Sequence, residues 1–241
     1  MSSAPLPHRN PVAAPRLPPP RHVALLYAVL VVLASTGLAY ELSLGAVESF
    51  LLGEPVSSFA LIISGTMVAL GLGSYLSSWI KTELELRFID AAVATATVGG
   101  ASAPMLYVVF GLHGPFRFVL YAATLLIGTL VGLQLPLLLR ILKRNERFAD
   151  VVARGFALDY AGGLAGSLAF SFVFMPSLGL IRTTLVLGCL NLVVAAYGIH
   201  LLGWKRKGMK LRGLTLVGVG ALLMTLGWFA PHFEAMTERP L

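Results

Sequence analysis

Apolar residues fall in long blocks along this chain, separated by short polar breaks. A bilayer-crossing helix needs about 20 mostly apolar residues. Seven blocks meet that length, at residues 22–50, 56–80, 88–112, 115–142, 151–177, 180–203 and 211–230. The breaks "LGEPVS", "KTELEL", "LHGPF", "KRNERFAD", "MPSLG" and "WKRKGMKLR" are too short to hold a second domain. The pattern therefore predicts an all-α integral membrane protein, a seven-transmembrane-helix bundle over residues 22–230. Residues 1–21, rich in Pro, Ala and Arg, read as a disordered cytoplasmic tail, and residues 231–241 as a short tail. The first apolar block runs on beyond the core of a cleaved signal peptide, so it is expected to stay as the first helix.

Composition agrees with that solvent. Of the 241 residues, 57% are hydrophobic and 12% charged, too little polar surface to cover a soluble globule. The net charge of +7 comes from short basic clusters between apolar blocks, which suits anionic headgroups better than nucleic acid. With the amino terminus inside, fifteen Lys and Arg residues lie on the cytoplasmic side, and only Arg117, Arg182 and Arg239 lie opposite. Positive segments stay inside, so the expected topology is amino terminus cytoplasmic and carboxyl terminus outside.

Chemistry-bearing motifs are sparse. Cys189 is the single cysteine, so no intrachain disulfide or cysteine-based zinc cluster can form. The five histidines are scattered without a second ligand at helical spacing, and no phosphate loop or Ser-His-Asp set occurs. No metal, no cofactor and no catalytic residue is expected on these grounds.

Small residues recur at helix-packing spacing. Gly128 and Gly132 in the fourth block, and Gly162 and Gly166 in the fifth, would let two backbones approach closely, and Gly71 and Gly73 in the second are grouped with them. A weak echo links blocks one and two to blocks four and five. "GLAYEL" from Gly37 matches "GLQLPL" from Gly132 at an offset of 95, and Gly73-Ser74 matches Gly166-Ser167 at an offset of 93. Three helices per unit would invert the second copy, so a 3+3 inverted repeat plus one helix is one arrangement this echo allows.

Two carboxylates fall inside blocks. Burying one at bilayer depth costs roughly 2.5–3.5 kcal/mol, so Glu41 and Asp159 are expected to face the bundle interior with a partner or a proton. They lie at different depths and are not expected to partner each other. Arg182 is the nearest cation to Glu41 by depth. One alternative is a polar cavity or solute site containing Tyr40, Glu41, Gln134, Asp159, Tyr160 and Asn191. The other is a set of interhelical hydrogen bonds that hold the bundle together. Glu48 and Glu54 are expected to be solvated near the outer interface.

Several segments together carry a resemblance: "STGLAYELSLG", "ALGLGSYLSSWI", "GLQLPLLLRIL" and "ALDYAGGLAGSLAFSFVFMPSLGLIRTTLVLGCLNLVVA". Over about residues 22–230 the chain resembles the membrane domain of the membrane-bound spermidine synthase-like, or polyamine aminopropyltransferase, family. The resemblance marks Gly37, Tyr40, Glu41, Gly71, Gly73, Ser74, Gly132, Pro136, Arg140, Asp159, Tyr160, Gly163, Gly166, Arg182 and Asn191 as matching positions. It implies a bacterial cytoplasmic (inner) membrane. In that family the membrane part precedes a soluble domain whose glycine-rich, acidic motif holds decarboxylated S-adenosylmethionine. No such motif occurs up to Leu241. The expectation is therefore a non-catalytic membrane subunit that anchors or scaffolds a protein partner or membrane complex. The alternatives are a transporter or channel for a small cationic solute such as a polyamine, and the membrane part of a truncated aminopropyltransferase.

Overall fold

The computed structural model describes residues 20–144, 146–202 and 209–237. It holds seven α-helices: α1 (Pro20–Leu52), α2 (Pro55–Ser77), α3 (Leu84–Gly111), α4 (Phe116–Leu142), α5 (Phe148–Ala169), α6 (Met175–Leu202) and α7 (Met209–Thr237). The tail expected at residues 1–21 lies, but for its last two residues, outside the described residues, and α7 continues past residue 230.

The helix ends follow local chemistry. α1 stops where Gly53 takes a left-handed φ of 74°, and α2 starts at Pro55, whose fixed φ and missing N–H suit a first helical turn. Leu112 begins the break before α4, and Pro115 stands immediately outside that helix.

Six helical runs among the described residues are long and apolar enough to cross a membrane by length and composition, one fewer than the seven blocks predict. The difference lies at the fifth and sixth blocks. A π-helical turn, Phe170–Phe174, joins α5 to α6, and the break predicted at "MPSLG" falls there as a one-residue kink at Gly179, without an open loop, so residues 148–200 count as one long apolar run. That run nevertheless doubles back. Gly166 of α5 sits against Ser35 of α1, while Asn191 of α6 donates to the next residue, Thr36, at 3.1 Å. In a straight helix two such positions, about 25 residues apart, would be separated by roughly 37 Å. The reversal falls near Gly179, at φ 73° and ψ 179°, a backbone region open essentially to glycine alone.

Packing is pairwise and antiparallel or parallel according to chain direction. α2 lies along α4, α1 along α5 and α3 along α6, while α1 also meets α4 and α6, and α7 covers α3 and α6. One end of the bundle gathers the basic residues. There Tyr27 donates to Glu146 at 2.6 Å, Arg140 donates to the Ile80 carbonyl at 2.8 Å, and Arg144 pairs with Glu85. Arg212 grips Asp90 bidentately, Nε to Oδ1 at 2.6 Å and Nη2 to Oδ2 at 2.8 Å. At the opposite end Arg117 stands 4.0 Å from Glu54.

The exterior is far more apolar than a water-soluble globule's, around an interior that is itself mainly apolar. Large apolar side chains stand outward, with Phe118 74%, Phe172 75% and Trp228 82% exposed, while Thr36, Ser43, Glu48, Gln134 and Asn191 are buried. Two apolar clusters fill the interior. One surrounds Tyr40, Leu106, Leu120 and Ile181, and the other surrounds Leu30, Ile89, Leu137 and Leu142 toward the basic end.

Candidate functional site

Glycine decides how close the helices come, and thereby where space is left. A Cβ added at Gly73 would fall well under 3.0 Å from the Thr129 carbonyl oxygen, and one at Gly132 equally close to the Leu70 carbonyl oxygen. At Gly128 it would stand 2.7 Å from the Ala69 Cβ. The α2–α4 crossing is thus backbone against backbone, and the Ser74 hydroxyl donates across it to the Gly132 carbonyl at 3.1 Å. α1 and α5 cross the same way. Gly162 lies on Val31 and Ala34, Gly166 on Ser35, and the Ser35 hydroxyl donates to the Gly162 carbonyl at 2.8 Å. Gly71 departs from the expectation: a Cβ there would meet nothing within 4 Å, because it faces away from α4.

Between these two tight pairs a cavity of about 370 Å³ remains. Its walls are mainly apolar, with Leu33, Leu38, Leu70, Ile127, Val131 and Leu135 among them, and no Lys, Arg or His lines it. Glu41 enters it from α1 and Asp159 from α5. Glu41 is only 7% exposed and Asp159 is partly buried, yet neither has a hydrogen bond or ion pair among the described residues. α5 runs beside α1 with Gly162 against Val31 and Ala34 and Gly163 beside Leu38. By helical rise, that register separates the two carboxylates by about 10–20 Å along the helix axes. They are not direct partners, as their depths predict, but one cavity holds both.

The expected polar set divides. Gln134 and Tyr160 line the cavity with Glu41 and Asp159, although the Gln134 amide is engaged elsewhere, donating to Thr95 Oγ1 at 2.6 Å and the Ala91 carbonyl at 3.3 Å. Tyr160 is mostly exposed at its edge. Tyr40 and Asn191 belong to another face. Tyr40 is fully buried with its ring against Gly99 of α3, and Asn191 donates to Thr36 and to the Leu187 carbonyl at 3.0 Å within the α1–α6 contact. Arg182 is not Glu41's counter-ion. It is exposed three residues past the Gly179 kink in α6 and takes part in no ion pair among the described residues.

Glu48 also corrects the sequence expectation. It is 2% exposed and accepts a hydrogen bond from the Tyr121 hydroxyl at 2.9 Å, so it is buried and not solvated. Its place seven residues after Glu41, two helical turns along one face, is the signal that could have found it. Asp90, clasped by Arg212, carries no comparable signal, since its partner lies on the last helix.

No family model matches the chain, and no solved structure does. Curated proteins do. The chain is 40% identical over 200 residues to the polyamine aminopropyltransferase of Leptospira interrogans, a match covering 83% of this chain and 40% of that protein. It is 41% identical over 196 residues to polyamine aminopropyltransferase 1 of Ralstonia nicotianae, covering 80% and 37%. With polyamine aminopropyltransferase 2 of Streptomyces coelicolor it shares 37% over 242 residues, covering 93% and 43%. The chain therefore spans about two-fifths of the length of the curated relatives it matches. These relatives are named for an enzymatic transfer. That overturns the expectation of a non-catalytic anchoring or scaffolding subunit, and it gives the transporter or channel alternative no support.

Proposed function

We propose that this chain is the membrane-embedded part of a polyamine aminopropyltransferase, an enzyme that moves an aminopropyl group onto a polyamine. The observation that carries the proposal is the 40% identity over 200 residues, 83% of this chain, to a relative of that name. The reaction is proposed for the whole protein, and the described helices contribute its embedded portion.

Embedding in a bilayer is supported by the six long apolar runs and by the apolar exterior of Phe118, Phe172 and Trp228. The basic end formed by Arg140, Lys143, Arg144, Arg147 and Arg154 supports a cytoplasmic amino terminus. The 3+3 inverted repeat is supported by the pairing of helices. Exchanging α1 with α4, α2 with α5 and α3 with α6 turns the α2–α4 crossing into α5–α1 and the α3–α4 contact into α6–α1, and all four contacts occur.

The test is an assay of aminopropyl transfer to a polyamine in membranes from cells that carry the intact gene and from cells in which it is disrupted. Transfer that sediments with the membranes and disappears on disruption is expected. Membranes whose transfer is the same with and without the gene would overturn the proposal.

A further inference from the structure

We infer that the groove between α1, α2, α4 and α5 binds an extended aliphatic polyamine, with Glu41 and Asp159 each holding one ammonium group and the apolar walls covering the methylenes between them. The inference deepens the function proposed above and rests on it for the choice of a polyamine among aliphatic polycations.

The argument begins with Glu41. A carboxyl group in an apolar surrounding is costly to keep unless a hydrogen bond or an opposite charge accompanies it. Glu41 is more than nine-tenths buried, faces the cavity, and has neither among the described residues. Of the other polar groups in the lining, none bonds to Glu41 among the described residues, and three are committed elsewhere, Thr124 to the Leu120 carbonyl among them. Ser74 donates to the Gly132 carbonyl and the Gln134 amide to Thr95, so the cavity offers Glu41 a lodging place for a cation but no internal partner.

Shape then selects the cation. One metal ion cannot meet both carboxylates when they stand about 10–20 Å apart along the helix axes. A lipid tail would suit the walls formed by Leu33, Leu70 and Val131 but would leave both carboxylates unanswered. A linear triamine answers each feature: ammonium groups toward its ends, methylenes between, and a length that spans the gap. The cavity's about 370 Å³ accommodates a molecule of that size.

Binding of radiolabelled spermidine to the intact protein in detergent or nanodiscs tests this, with Glu41→Gln, Asp159→Asn and Gly163→Leu as variants. Gly163 lines the groove, and a Cβ there meets only Leu38 at 3.6 Å, so leucine obstructs the cavity without removing a charge. Each neutralised carboxyl is expected to weaken binding about 10- to 100-fold, the usual value of a charge-assisted hydrogen bond, and Gly163→Leu to do the same by obstruction. Gel filtration verifies that each variant keeps the parent's elution. Spermidine affinity unchanged in all three folded variants, or no saturable binding to the parent, overturns the inference. Membranes that transfer aminopropyl groups while the groove binds nothing would remove this inference alone, whereas groove binding without transfer would remove only the enzymatic proposal.

Discussion

At the scale of single residues, Gly71 and Gly73 form a natural control for one another. They lie on the same helix, yet at 100° per residue they point about 200° apart, so only one can face α4. Gly73 does, with its α-carbon pressed on the Thr129 carbonyl, and Gly71 faces open space. Gly73→Ala is expected to force the crossing apart and destabilise the fold by about 1–3 kcal/mol, as overpacking does. Gly71→Ala should leave stability unchanged or slightly raised, because alanine restricts the unfolded chain more than glycine. Thermal unfolding in one detergent compares the two, and equal midpoints would refute the backbone-contact account. The same geometry explains what was legible beforehand. Gly128 with Gly132, and Gly162 with Gly166, share a face at i and i+4, and both pairs pack. Gly71 and Gly73, two residues apart, could never share one. Burial of Glu48 was obscured for another reason: closeness to the end of an apolar block suggests solvent and outweighs its place on the Glu41 face, and the tertiary position of Tyr121 reveals the enclosure.

At the scale of elements, the block boundaries survive as helix positions, and the break between the fifth and sixth falls in the predicted segment, as a kink at Gly179 and not as an open loop. Sequence punctuation such as "MPSLG" marks where a chain changes direction without saying whether helical hydrogen bonding stops there. Here helical bonding runs through a π-helical turn up to that segment, and the change of direction is concentrated at its last residue, Gly179, whose φ and ψ are not helical. The Gly179 carbonyl also accepts a hydrogen bond from Thr183 Oγ1 at 2.6 Å, which fixes the start of the returning segment. Gly179→Ala should cost about 1–3 kcal/mol, since a side chain there meets a sparsely allowed backbone region. Gly218→Ala, on α7 with nothing within 4 Å of the added carbon, serves as the comparison. A Gly179→Ala protein as heat-resistant as the Gly218→Ala one would place the strain elsewhere.

At the scale of the molecule, the proposed inverted repeat would relate the helix pairings to the sequence offset of 93, whereas the offset of 95 carries no contact over, since Gly37 meets Val131 of α4 and Gly132 meets Leu70 of α2. Gly73 in α2 and Gly166 in α5 are related by the offset of 93, and each presses on a backbone carbonyl of its partner helix, Thr129 in α4 and Ser35 in α1. The proposed inverted pair of units would put the groove at their junction, where α1 and α2 meet α4 and α5. It would also fix the sense of each helix relative to the others, so a single measured end orients the whole bundle. Arg147 and Arg117 mark opposite ends, both exposed, and Cys189 can first be replaced by alanine to give a thiol-free background. With the basic end proposed as cytoplasmic, a membrane-impermeant maleimide should label Arg117→Cys in intact cells and Arg147→Cys only after permeabilisation. The opposite pattern would invert the orientation while leaving the bundle intact. Equal labelling of both sites in intact cells would refute the spanning arrangement itself, because two ends of one impermeable layer cannot both face the same reagent.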